Sequence, residues 1–277
     1  MNLFEKLIYF LSYEVETPKM WGLFHIVFLI LIIGLTVFVC MKFKDCSDKM
    51  LRRILLGIWL TLFVFEIYRE LVFSLDVENG VASWDYAWYQ FPFQLCASPL
   101  YVLPVAVFVK DGKIRDAAMA FLSTFSLFGG IAVMLYPSDV LCVYLGINIQ
   151  SLIHHGFQVV AGFLCIVYNR KRYTHKYYIG ALCAFGVLLS VAMFLNLSVY
   201  AVFSAKGIGD TFNMFFISPY FDCTLPLVGL FDEMVPYPVF LMIYVLGFVI
   251  ISGIIFYTTQ YALRFVEKRQ NAKVVLP

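Results

Sequence analysis

The sequence predicts an all-α, polytopic membrane protein, a seven-transmembrane-helix bundle with its N-terminus outside and its C-terminus cytoplasmic. Three observations lead there. Of 277 residues, 62% are hydrophobic, 18% aromatic and only 14% charged, more apolar surface than a soluble domain of this length keeps from water. Seven apolar stretches reach the length of about 20 residues that crosses a hydrocarbon layer. The lysines and arginines between those stretches fall on alternate loops, as in a protein with a defined orientation.

The first segment, residues 1–20, is read as an interfacial helix. Glu5 and Lys6 break NLFEKLIYFLS too early for a signal peptide, and no small-residue cleavage site follows. The spans are placed at 21–41, 53–74, 88–109, 116–136, 147–168, 177–203 and 237–263. They form one transmembrane domain over 21–265, followed by a cytoplasmic tail, 266–277. Helices are required, because an open strand leaves backbone amides unpaired in lipid and the runs are too uniformly apolar for barrel strands. Sixteen basic residues border one side of these spans, from Lys42 to Arg53, Lys110 to Arg115, Arg170 to Lys176 and Arg264 to Lys273. Only Lys6, Lys19 and Lys206 stand on the other, and Arg69 lies within a span. The cell membrane is the expected location.

The longest connection, about 204–236, falls outside. Gly207, Gly209, Pro219, Pro226 and Pro236 prevent a single helix, yet NMFFISPYF and TLPLVGLF are too apolar for a solvated loop. A lid or re-entrant element over the outer mouth of the bundle is expected.

Polar side chains inside spans are costly unless they face the bundle interior, so each is a site candidate. With about 1.5 Å of rise per residue, Cys96, His155 and Glu66 each lie about 12 Å below the outer surface. His25, Arg69, Gln94 and Asn196 fall in the same half. Asn148, Ser151, His155 and Gln158 recur at three- and four-residue steps on one helix face, which selects His155 over its neighbour His154. Glu66, Arg69 and Glu70 are one turn apart and suit an intrahelical ion pair, or a guanidinium holding an anionic head group. Pro92, Pro99 and Pro104 interrupt the third span around Cys96, kinking it and freeing carbonyls. A cysteine acting as nucleophile needs a base within reach, and a histidine at matching depth meets that condition.

None of the seven cysteines forms a CxxC or CxxxC pair, so zinc ribbons and thioredoxin motifs are excluded. Cys142 and Cys223 occupy outward loops, where a disulfide is geometrically open. No nucleotide loop, tandem repeat or basic block is present. No cofactor and no nucleic-acid partner are expected, and no protein partner is indicated.

At QFPFQLC, residues 90–96, the chain resembles the YwaF-type family of bacterial integral membrane proteins, in which a [LF]P[LF][HQ]LC motif opens a central span. Other pieces follow in that family's order: Trp21 to Ile30 with His25, Phe128-Gly129-Gly130 with Pro137 and Asp139, Ile153-His154-His155-Gly156, then Asn196, Asn213-Met214-Phe215, Pro219 and Pro236-Tyr237-Pro238. The likeness covers roughly residues 21–265. Ala97 stands where many relatives have an acidic residue, and Asn213-Met214 replaces their Asn-Tyr. That family is similar to the transmembrane protein 164 family, seven-helix enzymes that transfer acyl chains onto lysophospholipids through a cysteine and a histidine. The resemblance implies Cys96 and His155 as that pair, with membrane phospholipids or lysophospholipids as substrate.

Three functions are therefore carried forward. The first is lipid acyl transfer or lipid hydrolysis by Cys96 and His155, supported by His25, Glu66, Arg69, Gln94, His154, Asn196 and Asn213. The second is a non-enzymatic transporter or receptor with a small-ligand cavity. The third is a metal-dependent hydrolase using His25, Glu66, His155 and Cys96.

Overall fold

A computed structural model describes residues 6, 10–78 and 81–274. The expected interfacial helix at the N-terminus lies mostly outside the described residues. Among the described residues the chain is all-α apart from one small hairpin and an isolated bridge between Glu14 and Tyr144. Its long elements are α1 (Leu23–Phe43), α2 (Asp48–Ser74), α3 (Pro99–Phe108), α4 (Lys113–Leu135), α5 (Leu145–Tyr168), α6 (His175–Lys206) and α7 (Tyr237–Val274). Among the described residues, five are long and apolar enough to cross a membrane: α1, α4, α5, α6 and α7 up to Arg269.

The other two fall short for different reasons. The α2 helix has the length, but Asp48, Lys49, Arg52, Arg53, Glu66, Arg69 and Glu70 dilute its apolarity. The α3 helix has only ten residues because its prolines act on the backbone. A continuous helix over 88–109 was expected. Instead 3-10 turns form at Trp88–Gln90 and Leu95–Ala97, and the α-helix starts at Pro99, a position where the missing N–H costs nothing. The connection before it holds a further departure, an antiparallel hairpin of β1 (Leu75–Glu78) and β2 (Val81–Trp84).

Within α4, residues Leu122–Ser126 form a π-helical turn. The Ser123 and Thr124 hydroxyls both donate back to the Ala120 carbonyl, an arrangement that loosens the regular ladder.

Burial separates interior helices from peripheral ones. In the most apolar stretch of both α4 and α5, 67% of residues are buried, against 22% in α1 and α7. The α5 helix is therefore the axle, and its glycines set how closely its neighbours approach. A Cβ at Gly156 would collide with the Ile32 side chain of α1. A Cβ on Gly130 of α4 would lie 2.8 Å from the His155 carbonyl and 2.9 Å from Gln158 Cβ.

The basic turns meet at one end of the molecule. Arg170 pairs with Asp45 and donates to the Lys44 carbonyl at 2.9 Å. Arg52 joins Asp48 at 2.7 Å, Asp111 at 3.3 Å and the carbonyls of Val107 and Val109. Arg115, almost fully buried, pairs with Asp48 at 2.6 Å and with Asp111, and donates to the Ala106 carbonyl. This network ties the starts of α2 and α4 to the end of α3. Beside it, the Arg170 guanidinium holds the Asp45 carboxyl below the usual carboxylate range.

The close contact at Gly156 predicts a coupled pair. Gly156→Ala should destabilise the protein by about 1–3 kcal/mol through overpacking on Ile32. Adding Ile32→Ala should cost less than the sum of the single changes. Thermal unfolding of the four chains in detergent measures this, and simple additivity would refute the contact.

Candidate active site

The irregular segment 88–98 is the centre of the site, and its backbone bonds explain why it is built where it is. In the 3-10 turn at Cys96, the carbonyl would be handed to the amide three residues on. That residue is Pro99, which has no N–H. Two side chains from α5 take the carbonyl instead: His154 Nε2–H donates at 2.9 Å and Gln158 Nε2–H at 2.5 Å. The same substitution recurs nearby. Pro104 leaves the Leu100 carbonyl without its helical donor, and Trp59 Nε1–H supplies one at 2.9 Å. The Tyr101 hydroxyl donates to the Pro92 carbonyl at 2.7 Å. A buried non-helical stretch is tolerated because each freed carbonyl finds a side-chain donor.

Arg69 anchors the upstream end of this segment. Its guanidinium donates to Gln90 Oε1 at 3.0 Å and to the Gln90 carbonyl at 2.6 Å. It also pairs with Glu66 and, at 3.2 Å, with Glu70, so the expected intrahelical ion pair forms.

The opposite side of the segment carries the lid. The α6 helix ends at Lys206, followed by Gly207 at φ +67, and the chain then runs irregularly to α7. Three amides fasten it. Gln94 donates to the Asn213 carbonyl at 2.8 Å and accepts from the Phe215 amide at 2.7 Å. Asn196 brackets Met214, donating to its carbonyl at 3.0 Å and accepting its N–H at 2.7 Å. Asn213 folds the loop on itself through the carbonyls of Phe221 and Asp222 and the amide of Ser218. Phe212, Met214, Phe215 and Ile217 are buried, and the Phe215 ring lies 5.9 Å from that of Phe93. Phe215 and Phe216 both hold positive φ, a strain of about 1–3 kcal/mol each that such bracketing sustains.

The two histidines are engaged in opposite senses. His155 Nδ1 faces the Ser151 carbonyl at 2.7 Å, and a carbonyl only accepts, so Nδ1 carries the proton. His154 bonds a carbonyl through Nε2, so that nitrogen carries its proton. In the neutral rings, His155 Nε2 and His154 Nδ1 are bare lone pairs, and both atoms are buried without a partner. Gln158 Oε1 and Ser126 Oγ are likewise buried and unpartnered. The ring centroids of His154 and His155 are 5.3 Å apart. The Cys96 thiol makes no hydrogen bond among the described residues, so the contact joining this residue to α5 runs through its carbonyl.

Two expectations need correction. The inward-facing stripe on α5 does not single out His155, because α5 is packed on nearly every side and His154 is equally buried. His154 is the histidine that hydrogen-bonds the Cys96 backbone among the described residues. The depth assigned to Cys96 also fails as a helical count, since residues 88–98 are not α-helical; the carbonyl contacts set its level instead.

Elsewhere the sequence-derived candidates divide. His25 is fully occupied, accepting from the Trp21 amide through Nδ1 at 3.0 Å and donating through Nε2 to the Met134 carbonyl at 2.9 Å. It tethers α1 to α4. Among the described residues no three histidine, cysteine or acidic side chains come together as metal ligands, which removes the set proposed for a metal hydrolase. Cys142 and Cys223 are free thiols, as are the other five cysteines. Two residues of the site were missed. The part of Gln158 in the carbonyl clamp was signalled only by its place in the α5 stripe. Tyr244 of α7, fully buried with an unpartnered hydroxyl, had no signal in its apolar surroundings.

Fold and site define a helical membrane protein whose buried polar centre is closed by a pinned lid. The chain belongs to the TMEM164 family, whose model matches residues 19–257. No curated protein and no solved structure matches it.

The amide clasp predicts that Asn196→Ala leaves the Met214 N–H unpaired, and its carbonyl with only the 3.4 Å bond from the Ile217 amide, at a cost of about 1–3 kcal/mol. Hydrogen exchange over 213–217 should accelerate while that of α5 stays unchanged; equal protection in both chains would refute the clasp.

Proposed function

We propose that this protein is a lipid acyltransferase or lipid hydrolase in the cell membrane, with Cys96 as nucleophile and His155 as base. Its seven helices cross the bilayer, the N-terminus faces outside and the lid covers the outer mouth. The orientation rests on the sixteen basic residues at one end of the spans against three at the other, and on the salt-bridge network joining those basic turns.

The observation that carries the reading is the pair of buried, bare imidazole nitrogens beside the clamped Cys96 segment. Three unpartnered acceptors, on His154, His155 and Gln158, call for a donor, and a thiol or a substrate hydroxyl is one. His155 Nε2 takes the thiol proton, and the thiolate attacks the ester carbonyl of a phospholipid. The ester C–O bond breaks, and the departing oxygen receives the proton from the imidazolium. The resulting Cys96 thioester is attacked by a lysophospholipid hydroxyl, or by water, whose proton passes to His155 and returns to the thiolate on release. His154 and Gln158 hold the nucleophile's backbone, and Arg69 holds the upstream end of its segment at Gln90.

Incubation with an alkyne-tagged acyl phospholipid should place a hydroxylamine-sensitive acyl group on Cys96, mapped by mass spectrometry. Cys96→Ala should lose the label, and His155→Ala should slow its appearance by about 100-fold or more. Full lipid turnover by Cys96→Ala would overturn Cys96 as the nucleophile, whereas specific uptake or binding of a non-lipid small molecule with Cys96 dispensable would favour a transporter or receptor.

A further inference from the structure

A groove on the side of the molecule does not include Cys96 in its lining. It has a volume of about 890 Å³ and opens along the side of the bundle, between α3, the start of α4 and α6. Its wall is apolar, formed by Val105, Ile179, Cys183 and Val187 among others. Ile179 and Val187 are 45% and 64% exposed, so the wall is open rather than closed by packing. The rim at the basic end differs. Lys113, Arg172 and Lys176 border it with Asp116 as the one carboxylate, and Asp116 pairs with Arg172 at 3.5 Å. Lys113 and Lys176 have no carboxylate partner among the described residues, which leaves the rim with an excess of two positive charges.

We infer that this groove is a binding site for an anionic phospholipid, with one acyl chain along the α6 wall and the phosphate between Lys113 and Lys176. Three features of the groove agree on that occupant. Its axis runs along the apolar face of α6, as an acyl chain in the bilayer does. Its charged rim sits at the end where the basic turns gather, the level of a head group. The excess of two cations matches an anionic phosphodiester, whereas a second copy of the chain would bring its own basic rim and be repelled. Basic recesses between helices at this level are established sites for anionic head groups. The site is separate from the proposed catalytic centre, since none of Cys96, His154, His155 or Gln158 borders it.

The purified full chain in detergent, titrated with phosphatidylglycerol and with phosphatidylcholine of the same acyl chains, tests this by native mass spectrometry. Phosphatidylglycerol should be retained preferentially, and Lys113→Gln with Lys176→Gln should weaken its retention by about tenfold. Those positions are exposed, and thermal unfolding checks that the variant is intact. On the unaltered chain, phosphatidylglycerol should slow maleimide alkylation of Cys183, an exposed residue of the wall, while phosphatidylcholine should not. Equal retention of both lipids, unchanged retention by the double variant, or cross-linking of Cys183 between two copies would each overturn the assignment. Acyl labelling of Cys96 should be the same in the double variant as in the unaltered chain.

Discussion

One missing amide proton organises the centre of this protein. Pro99 offers no N–H to the Cys96 carbonyl, and that carbonyl is drawn to His154 and Gln158 on α5. A buried carbonyl without a donor costs about 1–3 kcal/mol, so the two contacts hold the segment against one of the two most buried helices of the bundle. The prolines that interrupt the segment thus become the reason the Cys96 backbone is held by His154 and Gln158. Arg69 at Gln90 and Gln94 at the lid fix the segment on either side. Glycines on α4 and α5 complete the arrangement, because Gly130 and Gly156 let the neighbouring helices close around the histidines.

The lid follows from the same constraint. A chain that crosses the bundle mouth without helical bonds must find partners for its amides and carbonyls, and side-chain amides can serve both with one group. Gln94 and Asn196 each donate and accept, fastening Asn213 to Phe215 to two different elements. The lid is therefore fastened at Gln94 and Asn196. Its apolar rings lie inward, and its contacts to Phe91, Phe93 and Trp88 shield the site from water.

Most of the helices were legible because their apolar runs are long and the chain between them is charged. Pattern alone could not show that residues 88–98 leave the helix. Hydropathy is blind to backbone hydrogen bonds, although Pro92, Pro99 and Pro104 announced the interruption. Nor could it separate His154 from His155, since a helix enclosed on all sides has no single inward face. Gln94 and Asn196 were recognised as intramembrane polar groups, but their partners are main-chain atoms of a distant loop that no spacing rule reaches. The hairpin at 75–84 and the clamp of Gln158 are equally products of tertiary contact. His25 shows the converse: an intramembrane histidine can be fully satisfied by tethering two helices.

The most direct test of this account is the tautomer of each histidine, read by nitrogen-15 solid-state NMR of the protein in lipid bilayers. The hydrogen bonds require His155 to carry its proton on Nδ1 and His154 on Nε2, opposite forms on adjacent residues. Identical tautomers, the reverse assignment, or a ring protonated on both nitrogens at neutral pH would contradict it.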